Sequence, residues 1–151
     1  MLNRHFTDML SALSAEDVEY LLVGAMALAT YGHSRSTGDM DIWVNPTPEN
    51  AARTWRALAR FGAPVADLTP EDLATPGMVF QIGVAPNRID VLTSIEGVTF
   101  GEAWPNRHAV RYGPVELAVL GRTDLARNKR AAGRPKDLAD LDWLERGDRD
   151  D

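Results

Sequence analysis

Two aspartates separated by a single residue, Asp39 and Asp41, form the most chemically suggestive pair in the sequence. Apolar residues alternate with them as far as Val44, a pattern typical of a β-strand. Successive side chains of a strand point to opposite faces, so both carboxylates share one face while Met40 and Ile42 pack into a core. Two carboxylates this close repel each other, and proteins usually compensate with a divalent cation bound by oxygen. The pair therefore predicts a metal site, with Mg²⁺ as the expected ion and Mn²⁺ as the alternative.

A candidate phosphate site precedes this pair in the chain. Gly24 and Ala25 follow a predicted buried strand, residues 20–23, and begin a short predicted helix of small residues that ends near residue 31. A helix N-terminus presents free backbone N–H groups and the positive end of the helix dipole, which together favour an anion. The alternative is that Gly24 only provides a strand-to-helix turn with an unusual backbone angle.

A third carboxylate, Asp90, lies on a predicted strand over residues 88–93, with Ile89 and Val91 on the opposite face. If this strand neighbours the one that carries Asp39 and Asp41, all three carboxylates meet on one side of the sheet. Such a cluster suits one or two Mg²⁺ ions, and Asp90 is then either a metal ligand or a general base. The alternative for Asp90 is a solvated polar residue at a strand edge.

The segment between the predicted helix and the first acidic strand contains two basic residues, His33 and Arg35. Arg35 either binds phosphate or forms an ion pair with Asp39 or Asp41, and the guanidinium group suits both roles. His33 has no partner histidine at metal-binding spacing, so it is expected to be a solvated loop residue.

The segment 122–136 is strongly basic, with six Lys or Arg residues and a single acid before Asp137. One interpretation is a helix whose C-terminal cations complement the helix dipole, followed by a solvated turn. The other is that Lys129 reaches a nucleotide triphosphate or an RNA backbone. Asp137 and Asp140 are expected to be salt-bridge partners of these bases rather than metal ligands.

Helices and strands alternate in a way that predicts an α+β (mixed α/β) fold. We expect a small mixed sheet with helices packed on it and two C-terminal helices, over residues 122–132 and 136–146. The whole chain, 1–151, is predicted to be a single domain with a frayed tail at 147–151. The last helix is expected to bury one apolar face, formed by Leu138, Leu141 and Leu144.

Composition sets the broad class of protein. Apolar residues make up 44% of the chain and charged residues 25%, as in ordinary soluble domains. Cysteine is absent, which excludes disulfides and thiolate zinc sites. No apolar run is long enough for a signal peptide or a membrane span, so we expect a cytoplasmic protein without membrane contact. The net charge of −6 argues against general nucleic-acid binding but leaves room for a local basic face.

These motifs together resemble the nucleotidyltransferase superfamily, in which a glycine-containing helix start precedes an Asp-x-Asp strand and a third Asp follows on a later strand. The resemblance is closest to AbiEii-type toxins of toxin–antitoxin systems, DUF6036-like proteins and small antibiotic nucleotidyltransferases. The residues that carry it are Gly24, Ala25, Tyr31, Gly32, Arg35, Thr37, Asp39, Asp41, Asp90 and the segment 129–140. One departure is Ala25, which stands where the superfamily usually has a second glycine or a serine.

The resemblance implies a nucleotidyltransferase fold and a role for each matching residue. Asp39 and Asp41 would bind Mg²⁺, and Asp90 would bind metal or act as the base. The nucleotide-binding residues it implies are Gly24, Ala25, Arg35, Thr37 and Lys129.

The implied reaction moves a nucleoside monophosphate from a nucleoside triphosphate to a hydroxyl acceptor, which is a tRNA, a protein or a small molecule. A toxin–antitoxin or defence setting follows from the nearest relatives. The partners expected are the nucleoside triphosphate, an RNA or protein acceptor, a cognate antitoxin or toxin, and a second copy in a homodimer. The alternative is a non-catalytic binding module that keeps the fold and acts as an antitoxin or regulatory partner.

Overall fold

Six strands pair into one mixed sheet in the computed structural model, which describes residues 3–33, 38–84 and 86–150, with side chains described to residue 147. The strands are β1 (Tyr20–Val23), β2 (Asp39–Val44), β3 (Val79–Ile82), β4 (Arg88–Leu92), β5 (His108–Tyr112) and β6 (Val115–Val119). Their order across the sheet is β3-β4-β2-β1-β6-β5. β2 pairs with β4 and β1 with β6 in parallel, and the other neighbours are antiparallel. The predicted mixed class is confirmed.

Seven α-helices flank this sheet within the described ranges. They are α1 (Arg4–Ala15), α2 (Gly24–Thr30), α3 (Pro48–Phe61), α4 (Pro70–Leu73), α5 (Phe100–Ala103), α6 (Arg122–Ala132) and α7 (Pro135–Asp150). α3 packs on α1 and on β2, α2 packs on β1 and β2, and α6 packs on α7. None of them is long and apolar enough to span a membrane.

Local sequence signals set the ends of α3. The Thr47 side chain accepts a hydrogen bond from the Asn50 N–H, and Pro48 occupies the first helical position. Gly62 ends the helix in the left-handed conformation that glycine adopts without strain. The α3 start therefore lies directly after β2 and returns the chain along the sheet.

The core lies on one face of β2, opposite the aspartates. Met40, Ile42 and Val44 are completely buried, and all four residues of β1 are buried beside them. Trp43 is also buried, because Phe100 of α5 packs against it edge-on at 5.0 Å between ring centroids. The residue alternation predicted for β2 is therefore present, and one end of its acidic face is covered by α5.

The last helix differs from the prediction in length and in the face it buries. α7 extends to Asp150 instead of ending near residue 146. Leu138 is 49% exposed, and the buried stripe consists of Asp137, Asp140 and Leu144. The predicted leucine face is wrong at Leu138 because the two buried aspartates pair with a lysine of α6.

Candidate active site

The register of β2 and β4 brings the three predicted carboxylates to one face of the sheet. Asp41 lies opposite Asp90, and Asp39 lies opposite Arg88, in the parallel pair. The expectation that the Asp90 strand neighbours the Asp39–Asp41 strand is therefore confirmed. Asp90 is 8% exposed, so the alternative of a solvated strand-edge residue is wrong.

Arg88 is the cation that pairs with two of these carboxylates. Its Nη2 lies 2.8 Å from Asp39 Oδ2, and its Nε lies 3.1 Å from Asp90 Oδ1. Arg88 is absent from the residues predicted from the sequence, where Arg35 is the candidate ion-pair partner of Asp39 or Asp41. A signal was available, because Arg88 precedes Asp90 by two residues on the same strand and so shares its face.

Asp41 is a carboxylate whose surroundings disfavour its charged form. Burial raises its pKa to about 6, and the neighbouring charges of Asp90 and Asp39 act in the same direction. Arg88 and Lys129 lower the pKa but do not compensate. Near neutral pH the folded chain therefore carries a charge at Asp41 that a nearby cation would stabilise.

Gly24 packs directly against this carboxylate. Its φ of +72° belongs to the left-handed region, and a Cβ atom at this position would overlap the Asp41 carboxylate. Gly24 therefore makes the unusual turn, and this turn brings the start of α2 against the acidic face, while the phosphate site stays a prediction. Val23, the residue before the helix, provides no side-chain cap.

A cleft of about 310 Å³ lies between this acidic face and the α6–α7 pair. Asp90 is not among its lining residues, whereas Asp39 and Asp41 are. Arg35 and Thr37 fall outside the described residues. The cleft is lined by the first two residues of α2 and by polar side chains, namely Gly24, Ala25, Asp39, Asp41, Glu96, Asn128, Lys129, Arg134, Lys136, Asp137 and Asp140.

Lys129 is buried in the wall opposite the sheet. Its Nζ lies 3.4 Å from Asp137 Oδ1 and 3.2 Å from Asp140 Oδ2, as expected for salt-bridge partners of the basic segment. Arg134 also pairs with Asp137, at 2.6 Å. Burial tends to raise the Asp137 pKa, but the bonds from Arg134 and the charge of Lys129 outweigh it, and the pKa is lowered. Lys129 is therefore enclosed between two buried aspartates that oppose its charge.

His33 packs against the last helix, contrary to the prediction of a solvated loop residue. Its ring stacks on Trp143 at 4.5 Å between centroids, and Nε2 lies 3.7 Å from Asp140 Oδ1. No local signal in the sequence indicates this contact, because Trp143 lies far along the chain.

The donor set fits Mg²⁺ by its chemistry. Carboxylate oxygens are the ligands that Mg²⁺ prefers, and it usually completes its shell with water and substrate phosphates. Asp39 and Asp41 both line the cleft, and the pKa of Asp41 is raised by burial and by the neighbouring aspartates. Within the described part of the chain, however, no three Asp, Glu or His side chains are already arranged around a common point. The fit therefore rests on Asp39 and Asp41.

The fold was then compared with known proteins. No protein-family model matches the chain, and no curated protein matches its sequence. Among solved structures, a Thermotoga maritima protein with a provisional assignment as a nucleotidyltransferase is similar, with a TM-score of 0.62. The match covers 95% of this chain and 92% of that one, at 16% sequence identity.

The chain has a nucleotidyltransferase fold. At this level of identity the similarity concerns the arrangement of strands and helices alone. The Mg²⁺ ligands, the nucleotide-binding residues and the AbiEii-type or DUF6036-like subgroup stay predictions from the sequence.

Proposed function

We propose that the chain is a Mg²⁺-dependent nucleotidyltransferase that moves a nucleoside monophosphate from a nucleoside triphosphate to a hydroxyl acceptor. The observation that carries this proposal is the position of Asp39 and Asp41, which face a cleft of about 310 Å³ beside Gly24. A carboxylate pair next to a helix start offers a metal site and a phosphate site in one cavity.

Asp39 and Asp41 would hold the Mg²⁺, which when bound neutralises negative charge on the phosphate oxygens. The backbone N–H groups at the start of α2, from Gly24 and Ala25, would donate to the triphosphate. Because Ala25 contributes only its backbone, the absence of a serine hydroxyl removes one contact and leaves these donors in place.

The opposite wall would contribute positive charge. Lys129 lines the cleft, and its ammonium group has three donors, of which Asp137 and Asp140 engage at most two. Arg134 and Lys136 also line the cleft, and both are exposed to solvent. We assign Arg35 and Thr37 to the same nucleotide from the sequence motif.

Asp90 is proposed to accept the proton of the attacking hydroxyl. The acceptor oxygen then bonds to the α-phosphorus, and the bond from that phosphorus to the leaving pyrophosphate breaks. Arg88 would orient the Asp90 carboxylate for this step through the 3.1 Å contact. Direct ligation of the metal is the alternative role for Asp90.

The acceptor is proposed to be a tRNA, a protein or a small molecule, in a toxin–antitoxin or defence setting. The second candidate function is a non-catalytic binding module with an antitoxin or regulatory role. It is favoured by one observation, namely that Arg88 engages two of the three carboxylates, Asp39 and Asp90. In such a module the guanidinium would take the place of a metal.

The test is calorimetric binding of ATP, GTP, CTP and UTP, with and without Mg²⁺. The wild-type chain is compared with an Asp39→Ala/Asp41→Ala double variant and with Asp67→Ala, an exposed carboxylate outside the cleft. We expect Mg²⁺-dependent binding that only the double variant loses, followed by transfer of α-labelled nucleotide to an acceptor. Absence of nucleotide binding by the wild type would overturn the proposal, and binding without transfer to any acceptor would favour the module.

A further inference from the structure

The exposed apolar surface of the described chain is concentrated at one edge of the sheet. Four large hydrophobic side chains are exposed within the described ranges, and three of them belong to β3 or flank it. Met78 is 38% exposed, Val79 is 54% exposed and Val84 is 79% exposed. Among the strands of the described ranges β3 is also the outermost, and no described strand lies on the outer side of its backbone.

The two edges of the sheet differ in how they are protected. β5, the opposite edge, carries His108 and Arg111, and Arg111 pairs with Glu116 across the hairpin at 3.9 Å. Charged side chains on an edge strand hinder pairing with another chain. β3 carries neither a charge nor a proline over Val79–Ile82. Only the β5 edge therefore has this protection.

The hydrogen-bond parity of the β3–β4 hairpin identifies the backbone groups that point outward. The Thr93 N–H donates to the Met78 carbonyl at 3.0 Å, so residues 78 and 93 form a hydrogen-bonded pair. In an antiparallel ladder such pairs alternate with non-bonded ones. Phe80 therefore directs its N–H and C=O toward β4, whereas Val79 and Gln81 direct theirs toward the free edge.

We propose that β3 pairs antiparallel with β3 of a second copy of this chain. The two-fold axis would pass beside Phe80, so that Val79 of one copy exchanges backbone hydrogen bonds with Gln81 of the other. In this register the outward-facing N–H and C=O groups of Val79 and Gln81 are all used. Each lies opposite an outward-facing group of the second copy. The two sheets would then form one continuous sheet.

Side-chain parity agrees with this register. Phe80 pairs with Val91, so it lies on the face that packs on the helices, and it would meet Phe80 of the second copy across the axis. Gln81 pairs with Asp90 and therefore lies on the acidic face, where it would meet Val79 of the second copy. Each copy thus keeps its core face and its acidic face on the same sides of the joint sheet.

The absence of charged residues from β3 favours an identical strand as its pairing partner. Because the strand is uncharged, no like charges oppose each other across the axis, and no residue on it would select a charged partner. The net charge of −6 on each copy does oppose association at a distance. Salt screens that repulsion, so association should strengthen between low and moderate ionic strength.

The first test is sedimentation velocity over a range of protein concentrations, combined with amide hydrogen exchange. We expect a monomer–dimer equilibrium in which the Val79 and Gln81 amides become protected as the dimer forms. The Phe80 amide, bonded to β4, should be protected at every concentration. A chain that stays monomeric up to its solubility limit, or a dimer that leaves Val79 and Gln81 unprotected, would overturn the proposal.

Edge variants give the second test. Gln81→Pro removes an outward N–H and leaves the β3–β4 bonds in place, so we expect about 30-fold weaker dimerisation. Gln81→Thr keeps the N–H and should dimerise like the wild type. Val79→Lys adds a charge at an exposed edge position and serves if the proline variant does not fold. Val84→Lys is the control, because it removes exposed apolar surface outside β3. If it weakens dimerisation as much as Val79→Lys does, strand pairing is contradicted.

Discussion

Asp41 and Asp90 lie side by side on the parallel strands β2 and β4, and Arg88 pairs with Asp90 but not with Asp41 within the described residues. Asp90 thus has a cationic partner, whereas the pKa of Asp41 is raised to about 6. The two carboxylates therefore lie in different environments. Asp41 lines the cleft, whereas Asp90 does not and pairs with a guanidinium group.

Asp41→Asn is expected to stabilise the metal-free chain near neutral pH. The folded pKa of about 6 exceeds the ordinary value of 3.8, so the folded state binds the proton more tightly than the unfolded state. Stability therefore falls as pH rises through that window, and the variant should gain on the order of 1–3 kcal/mol at pH 7. Urea unfolding at a series of pH values measures this, and identical pH profiles for both chains would contradict it.

Arg88→Gln is expected to destabilise the chain by about 1–3 kcal/mol, because it removes the guanidinium group that pairs with the buried Asp90 and with Asp39. Added Mg²⁺ should raise the melting temperature of this variant more than that of the wild type. The control is Arg111→Gln, whose pair with Glu116 is fully solvated and should contribute little. Thermal unfolding with and without Mg²⁺ distinguishes the cases. An Mg²⁺ effect equal in all three chains would argue against a shared site.

Gly24→Ala is expected to cost more stability than Gly62→Ala. Both glycines have positive φ, but a Cβ at Gly24 overlaps the Asp41 carboxylate, whereas nothing lies within 4 Å at Gly62. We expect about 1 kcal/mol for Gly62 and about 3 kcal/mol or more for Gly24. Equilibrium denaturation gives both values, and equal costs would mean that Asp41 moves aside without strain. Nucleotide binding should weaken only in the Gly24 variant.

Lys129→Met and Lys136→Met should separate structural from ligand-binding roles in the cleft wall. Removing Lys129 leaves Asp137 and Asp140 buried with less compensation, so a loss of about 3 kcal/mol is expected. Lys136 is exposed and should change stability by less than about 0.5 kcal/mol. Nucleotide affinity, measured where both variants are fully folded, should fall in each case. A Lys136 variant with wild-type affinity would remove it from the proposed site.

Strand parity accounts for what the sequence could predict of the site. The alternation around Asp39 and Asp41, and around Asp90, is a local property, and period 2 assigns each side chain to a face without further information. The same is true of the α3 start at Thr47 and its end at Gly62, where the chemistry of the caps is local.

Contacts between distant segments account for what the sequence could not predict. Arg88 lies beside Asp39 because β2 and β4 are neighbours in a particular register. The inward face of α7 carries Asp137 because Lys129 of α6 lies against it, which no hydrophobic pattern can reveal. His33 likewise stacks on a tryptophan of the last helix.

The position of α6 and α7 as one wall of the cleft has a consequence for biosynthesis. A domain generally folds as a unit, so its packing is complete only when all its elements have left the ribosome. The acidic face comes from β2 and β4, but the wall needs Lys129, Asp137 and Asp140. A nascent chain that ends after β6 therefore carries the aspartates and Arg88 but lacks the opposite wall of the cleft. The cavity forms when the last helix docks, so the candidate site is among the final features to mature.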